Sequence, residues 1–327
     1  MNEERRRLLA KVAYLYFVEG KSQTEISVEL DIYRTTISRM ISKAKEEGIV
    51  NIEIVDYNDE IFALEDYVQS KYGLKRIEII DNQGLETDKQ LSDAISKRAA
   101  SLVRHVIKEK DIVGLSWGST LSEMVEKLEV KTLKNVSFCP LAGGPSHINT
   151  KYHVNTLVYE MSRVLHGQTT FINSTVVQET EQVAFGVLRS KYFQELLMLW
   201  SEIDVAIVGI GGDLAYNTSQ WRDLLTPADY DQLRKEAAVG EVCCRFFNEE
   251  GKPVHNQLQK RIIGFTLDQL GKVPKSIAIA YGDHKAQAIL ATIKKNYINH
   301  LVTDKRTVLK MLQFEGDDSF EKTIREG

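Results

Sequence analysis

Residues 204–213 read DVAIVGIGGD, and the fold turns on that run. Val205 to Val208 are apolar without a break, and glycines follow at 209, 211 and 212. A short unbroken apolar run closed by glycine fits a strand buried on both faces, whereas a strand with one wet face alternates. The pattern recurs in RIEII (76–80), DIVGLS (111–116), NVSFCPL (135–141), SIAIAYG (276–282) and NHLVTD (299–304). Helical patterns fall between most of these runs. Such alternation predicts an α/β fold, a doubly wound, mostly parallel sheet with helices on both faces.

In a sheet of that kind ligands collect beyond the carboxyl ends of the strands. The loops after the apolar runs are therefore the candidate site. Gly118-Ser119-Thr120 opens a helix after the 111–116 run, offering backbone N–H groups, hydroxyls and the positive end of a helix dipole, all suited to phosphate. A capped helix after a tight turn would give the same spacing. Gly143 and Gly144 follow the third run, and His153 and Asn155 stand where the next helix begins. The glycines at 209, 211 and 212 do not complete a GxGxxG fingerprint, because Leu214 takes the place of its last glycine, so a nicotinamide site is disfavoured. Asp213 closes that run as a hydroxyl acceptor. Asp283 and Lys285 open a helix after the 276–282 run, and Lys285 suits an anion. Arg245 sits on the apolar stretch EVCCRFF and reads either as a buried ion pair or as a phosphate or hydroxyl contact. Neither His147 and His153 nor any HExxH supplies metal-ligand spacing, so no metal and no cofactor is expected.

The first fifty residues differ in kind. Leu8, Leu9, Val12, Leu15 and Tyr16 recur at helical spacing, and Gly20 ends that helix. Ser22 with Glu25 three residues on is a capping-box pattern for a second helix, Asp31-Ile32-Tyr33 is a turn, and a third helix follows from Arg34 to Glu47, with Gly48 beyond it. Helix, short turn, helix is the geometry that places a second helix in the DNA major groove. Ile26, Leu30, Ile37 and Ile41 are the inward positions. Tyr33, Arg34, Thr35, Thr36, Ser38, Arg39 and Lys43 are donors or cations on the other face, and Gln23 is placed for a phosphate. Between Tyr33 and Lys45 there are four basic residues and no acidic one, although the whole chain has a net charge of −4. Any nucleic-acid surface is therefore local. A solvated face of a protein-interaction module is the alternative, and Arg5-Arg6-Arg7 fits a solvated helix face as well as a phosphate contact.

With 327 residues the chain exceeds what one core usually serves, so two domains are expected, 1–55 and 56–327. NIEIV (51–55) alternates as a strand, and a helix over 59–72 carries Ile61, Leu64, Tyr67 and Val68 on one face, for a dimer contact or for packing on the larger domain. Residues 313–327 are polar and read as a frayed end. Cys139, Cys243 and Cys244 form no CxxC pair, which suggests neither a disulfide framework nor a zinc site and suits a reducing cytoplasm. No signal sequence and no membrane span is legible.

Taken together, TEISVELDIYRTTISRMISKAKEEGIV, DIVGLSWGSTL, PLAGGPS, VAIVGIGG, GEVCCRFFNEEG and IAIAYGDHKAQAI resemble the SorC family of sugar-binding transcriptional regulators over essentially the full length. The resemblance implies a winged helix-turn-helix joined to an effector domain similar to glucosamine-6-phosphate deaminase and ribose-5-phosphate isomerase folds, with catalysis lost. It implies operator DNA and a phosphorylated sugar, such as a sorbose-type ketose phosphate, as partners, and assembly into homodimers or homotetramers. Gly118, Ser119, Thr120 and Lys285 match its phosphate-holding loops. Some members form a Schiff base through a lysine just before the paired glycines, where this chain has Ala142, so reversible binding is implied. Activator and repressor both remain open. The alternative function is a sugar-phosphate isomerase or deaminase, with Asp213 and Asp283 as the candidate bases.

Overall fold

In the computed structural model, residues 3–51, 58–144, 150–212, 214 and 225–320 are described. The chain divides into two compact units, Met1–Asn58 and Asp59–Gly327. Beyond Asn51, the expected strand over 51–55, and with it a wing, lies outside the described residues.

The smaller unit contains α1 (Glu3–Phe17), α2 (Gln23–Leu30) and α3 (Arg34–Glu46). Ser22 caps α2, its hydroxyl accepting from the Glu25 N–H while the Glu25 carboxylate accepts from the Ser22 N–H. Asp31 ends α2 at a φ of 52°, a left-handed position that a short polar side chain tolerates. Val12, Leu15, Ile26, Ile37 and Ile41 close one core, with Leu30 packed against it, and Leu9, Ala13 and Ala44 close a second. Burial of each isoleucine contributes roughly 1.5–3 kcal/mol, which matters in a unit this small. Of the apolar residues at helical spacing in α1, Leu8 lies on the exposed side.

The larger unit is built on seven parallel strands: β1 (Arg76–Ile80), β2 (Ile112–Leu115), β3 (Ser137–Pro140), β4 (Gln168–Thr169), β5 (Val205–Gly209), β8 (Lys275–Ile279) and β9 (His300–Asp304). The order across the sheet is β1-β9-β8-β5-β2-β3-β4. A separate antiparallel hairpin joins β6 (Gly240–Val242) to β7 (Arg245–Phe247). The helices are α4 (Asp59–Tyr72), α5 (Asp88–Val106), α6 (Ser119–Glu126), α7 (Val154–Leu165), α8 (Glu181–Arg189), α9 (Lys191–Ser201), α10 (Pro227–Lys235), α11 (Asn256–Gln259), α12 (Leu267–Leu270), α13 (Ala286–Lys294) and α14 (Lys305–Phe314). Every residue of β9 and four of five in β5 and β8 are buried, so both faces of the sheet are covered, as the unbroken apolar runs require.

Two expectations resolve here. α4 lays Ile61, Leu64 and Val68 into the main core, so this face packs on its own unit, and Tyr67 reaches Asp317 at 2.6 Å. The end of the chain is not frayed as far as it is described. Asp317 and Glu315 pair with Lys71, and Phe320 is buried. The polar letters of that segment are ion-pair partners for α4.

The core leaves no slack around β2. A Cβ at Gly114 would stand 2.4 Å from Leu141 Cδ2 and 2.9 Å from Ile203 Cδ1. Gly114→Ala is expected to destabilise the larger unit by roughly 1–3 kcal/mol through overpacking, read as a lowered denaturation midpoint for that unit. An unchanged midpoint would show that the β2 surroundings can relax.

Candidate functional site

The sheet reverses its order of construction between β2 and β5. The chain runs from β2 outward through β3 to β4, then returns to β5 and runs through β8 to β9 on the other side. Crossovers leaving neighbouring strands in opposite directions open a crevice at their carboxyl ends. Ser116 stitches the base of that crevice. Its N–H donates to Ile207 O at 3.0 Å, and its hydroxyl accepts from the Gly209 N–H at 3.4 Å.

Four loops rise around it. After β2, Gly118 adopts a φ of 135° and is the N-cap of α6, but has no side chain to accept from the first amides of the helix. Ser119 and Thr120 are the first residues of that uncapped helix. After β3, Gly143 donates to Ile263 O at 2.9 Å and Gly144 to Ser174 O at 3.2 Å, pinning this loop from both sides. A Cβ at Gly144 would lie 2.0 Å from His153 Nε2, so the glycine is what lets the imidazole approach. His153 caps α7, its Nδ1 accepting from the Asn155 N–H at 3.2 Å, and burial lowers its pKa, favouring the neutral ring. Asn155 grips both backbone groups of Ile172, at 2.9 and 3.0 Å, so its amide holds the neighbouring loop.

After β5, Gly211 pairs with Glu241 of the hairpin, and a Cβ at Gly212 would meet His284 O at 2.5 Å. Those two glycines allow Glu241 and Lys285 to close on the crevice from either side. Burial pushes the Glu241 carboxyl up to about 7, against the pull of the Lys285 charge and the Cys244 N–H it accepts from at 2.8 Å. Burial also pushes the Lys285 ammonium down, while Glu241 holds it up. Among the described residues no carboxylate stands within ion-pair distance of Lys285. α13 follows it, again with no side-chain cap. Asp213 lies outside the described residues.

Two expected contacts are directed elsewhere. All five N–H groups of Arg245 are engaged: Nε with Phe265 O, one terminal nitrogen with Gln259 O and Oε1, the other with Ile262 O and Gly264 O. A buried cation solvated by carbonyls pins the 259–265 segment, and it is neither the ion pair nor the open anion contact that its sequence suggests. Asp283 turns its carboxylate to Arg306 Nε at 2.9 Å and is exposed. Glu241 was not legible as a site residue. Its one signal is a lone carboxylate beside a buried double-cysteine turn.

In the smaller unit, Ile37 and Ile41 face inward while Tyr33, Arg34, Thr35, Thr36, Ser38 and Arg39 are exposed. Tyr33 is the N-cap of α3 and accepts nothing through its side chain, leaving the first amides of α3 open. Lys43 is partly exposed and lies 3.4 Å from Glu47, and Gln23 is partly exposed at the start of α2.

A helix-turn-helix unit and an α/β unit with a polar, cation-bearing crevice at its switch point define a ligand-responsive regulator. Residues 57–313 match the family described as "Putative sugar-binding domain". The sorbitol operon regulator of Klebsiella pneumoniae is 33% identical over 315 residues, covering 95% of this chain and 99% of that protein. Its full-length crystal structure superposes with a TM-score of 0.73 at 31% identity over 95% of this chain and 100% of that one. A transcriptional regulator from Streptococcus pneumoniae TIGR4 is 48% identical, with a TM-score of 0.76, over 79% of this chain and 98% of that chain. The deoxyribonucleoside regulator of Bacillus subtilis is 27% identical over 94% of this chain and 97% of that protein. The chain belongs to the SorC family of sugar-binding transcriptional regulators. These relatives are regulators, and the isomerase or deaminase alternative falls with that finding.

Glu241 gives a pH signature. Between the ordinary carboxylate range and about 7 the folded unit holds a proton there that the unfolded chain releases. Stability from this group is full at low pH and is lost as pH rises through that window. Glu241→Gln should remove about 2–3 kcal/mol of that decline, read as thermal stability of the larger unit between pH 5 and 8. An identical pH slope in wild type and variant would place the titrating group elsewhere.

Proposed function

We propose that this chain is a DNA-binding regulator of a carbohydrate-use operon, and that a phosphorylated sugar at the β2–β5 crevice controls its affinity for operator DNA. The observation that carries the effector half is the pairing of an uncapped helix N-terminus at Gly118-Ser119-Thr120 with the Lys285 ammonium, which has no carboxylate at ion-pair distance among the described residues. A phosphate satisfies both at once, through backbone N–H groups and a charge-assisted bond. Adjacent strands lie about 4.8 Å apart, so the β2 and β8 loops, with β5 between them, root roughly 10 Å apart, a span that suits a phosphosugar. Glu241 then accepts from a sugar hydroxyl. The names of the relatives favour a sugar or sugar-like effector, and a sorbose-type ketose phosphate or polyol phosphate is the class we favour. Because Ala142 offers no amine beside the paired glycines, binding is reversible.

The DNA half rests on α3. Its apolar residues are buried, its cations and hydroxyls are exposed, and its first amides are free for phosphate oxygens. Two half-sites one helical turn apart are the usual target of such helices, which suits a homodimer or homotetramer acting in the cytoplasm. The enzyme reading gains nothing from Asp283, whose carboxylate is held by Arg306.

The test is binding to labelled DNA from the promoter region beside its own gene. Arg34→Ala with Arg39→Ala should weaken binding by at least tenfold, since each base-reading arginine contributes about 1–3 kcal/mol, and leave phosphosugar binding intact. Unchanged affinity in the double variant would sink the assignment of α3 as the recognition helix.

A further inference from the structure

The loop that carries Lys285 is tied to the start of the larger unit through a single turn of helix. That loop begins at Gly282, whose N–H donates to Thr307 Oγ1 at 2.7 Å and Asp304 Oδ2 at 3.3 Å. Its next residue, Asp283, accepts from Arg306 Nε at 2.9 Å. Asp304 also caps α14, accepting from the Thr307 N–H at 3.1 Å. Three of four consecutive residues, 304, 306 and 307, therefore hold the crevice loop. The fourth has a different partner. Lys305 Nζ lies 2.6 Å from Glu60 Oε2, and Glu60 is the second residue of α4, which starts at the boundary between the two units.

The other end of α14 repeats the grip. The turn after it places Asp317 on Tyr67 and Lys71, and Glu315 on Tyr72, in the last turns of α4. α4 is thus held at its first and last turns by one helix and the turn that follows it. Asp304 and Thr307 are fully enclosed, and Val308, Met311 and Leu312 are buried in the core. Packing of this kind favours motion of the helix as a body over bending within it.

We propose that the first turn of α14, Asp304 to Thr307, is the coupling element through which occupancy of the Lys285 crevice reaches the segment leading into the helical unit. The proposal rests on the effector reading of that crevice. An anion drawn to Lys285 and to the α6 N-terminus shifts the 282–285 loop. The hooks at 304, 306 and 307 carry the shift to Lys305, and Glu60 passes it to the start of α4. Linkage makes the coupling reciprocal: a change at Glu60 must be felt at the loop. A merely structural cap would hold the loop and leave Glu60 indifferent.

A double-mutant cycle in the full chain tests this without sugar or DNA. Hydrogen exchange is measured on wild type, Asp283→Asn, Lys305→Met and the pair. Asp283→Asn breaks an exposed ion pair and should speed amide exchange over residues 59–66 roughly threefold, the scale of such a pair. In the Lys305→Met background it should change nothing there. Glu60→Gln should in turn speed exchange over residues 282–286. Exchange over β5 serves as the folding control and should stay fixed in every variant. Equal effects of Asp283→Asn in both backgrounds would overturn the proposal, even if a phosphosugar binds. Absence of phosphosugar binding with the cycle intact would instead remove the effector reading.

Discussion

Parallel strands can be joined only by crossovers, and each crossover must choose a side. Here the choice reverses once, between β2 and β5, and the rest of the larger unit is arranged around that reversal. It sends the β2, β3, β5 and β8 loops up around one crevice. The glycines of these loops are explained by what comes close to them: His153 at Gly144, Glu241 at Gly211, the 284–285 backbone and side chain at Gly212. A side chain at any of these points would push a crevice wall outward. The sheet is rigid because both its faces are buried, so the loops are held to a fixed frame while their tips remain polar.

The two buried cations of the larger unit are held in different ways. Arg245 has a full set of carbonyl partners and can stay buried without any ligand. Among the described residues Lys285 has no such set of partners, and the charge that favours its ammonium is a carboxyl itself raised to about 7. A buried cation that lacks a partner costs several kcal/mol, a cost that a bound phosphate would offset. The contrast between the two cations separates a structural pin from the proposed binding group more clearly than either residue's position in the chain. In the helical unit the same contrast appears between Ile37 and Ile41, which are sealed, and Arg34 and Arg39, which face solvent.

The buried strands were legible because burial on both faces leaves an unbroken apolar signature, as in 204–212 and 276–282. β4 was not legible: Gln168 and Thr169 form a two-residue edge with no apolar pattern. The β6–β7 hairpin was also hidden, because its turn is Cys243-Cys244, both at positive φ, where Asn-Gly would be the usual sign. The capping box at Ser22 and the inward positions of α2 and α3 are readable from spacing alone. Of the candidate site residues, Gly118, Ser119, Thr120, Gly144 and Lys285 are set around the crevice. Asn155 and Arg245 are engaged by backbone groups from distant loops, a long-range fact that no local pattern carries. Glu241 is hidden for the same reason, since an isolated bridge from the separate β6–β7 hairpin brings it to Gly211.

The central claim is that the crevice recognises the phosphate of a sugar. Thermal unfolding of the full chain with L-sorbose 1-phosphate and related ketose and polyol phosphates, each beside its free sugar, tests it most directly. A ligand that binds only the folded state at a hundred times its Kd adds about 2.7 kcal/mol. The account predicts that at least one phosphosugar raises the unfolding temperature of the larger unit, that its free sugar does not, and that Lys285→Met abolishes the shift. A free sugar that stabilises as strongly as its phosphate, or a shift that survives Lys285→Met, would contradict it.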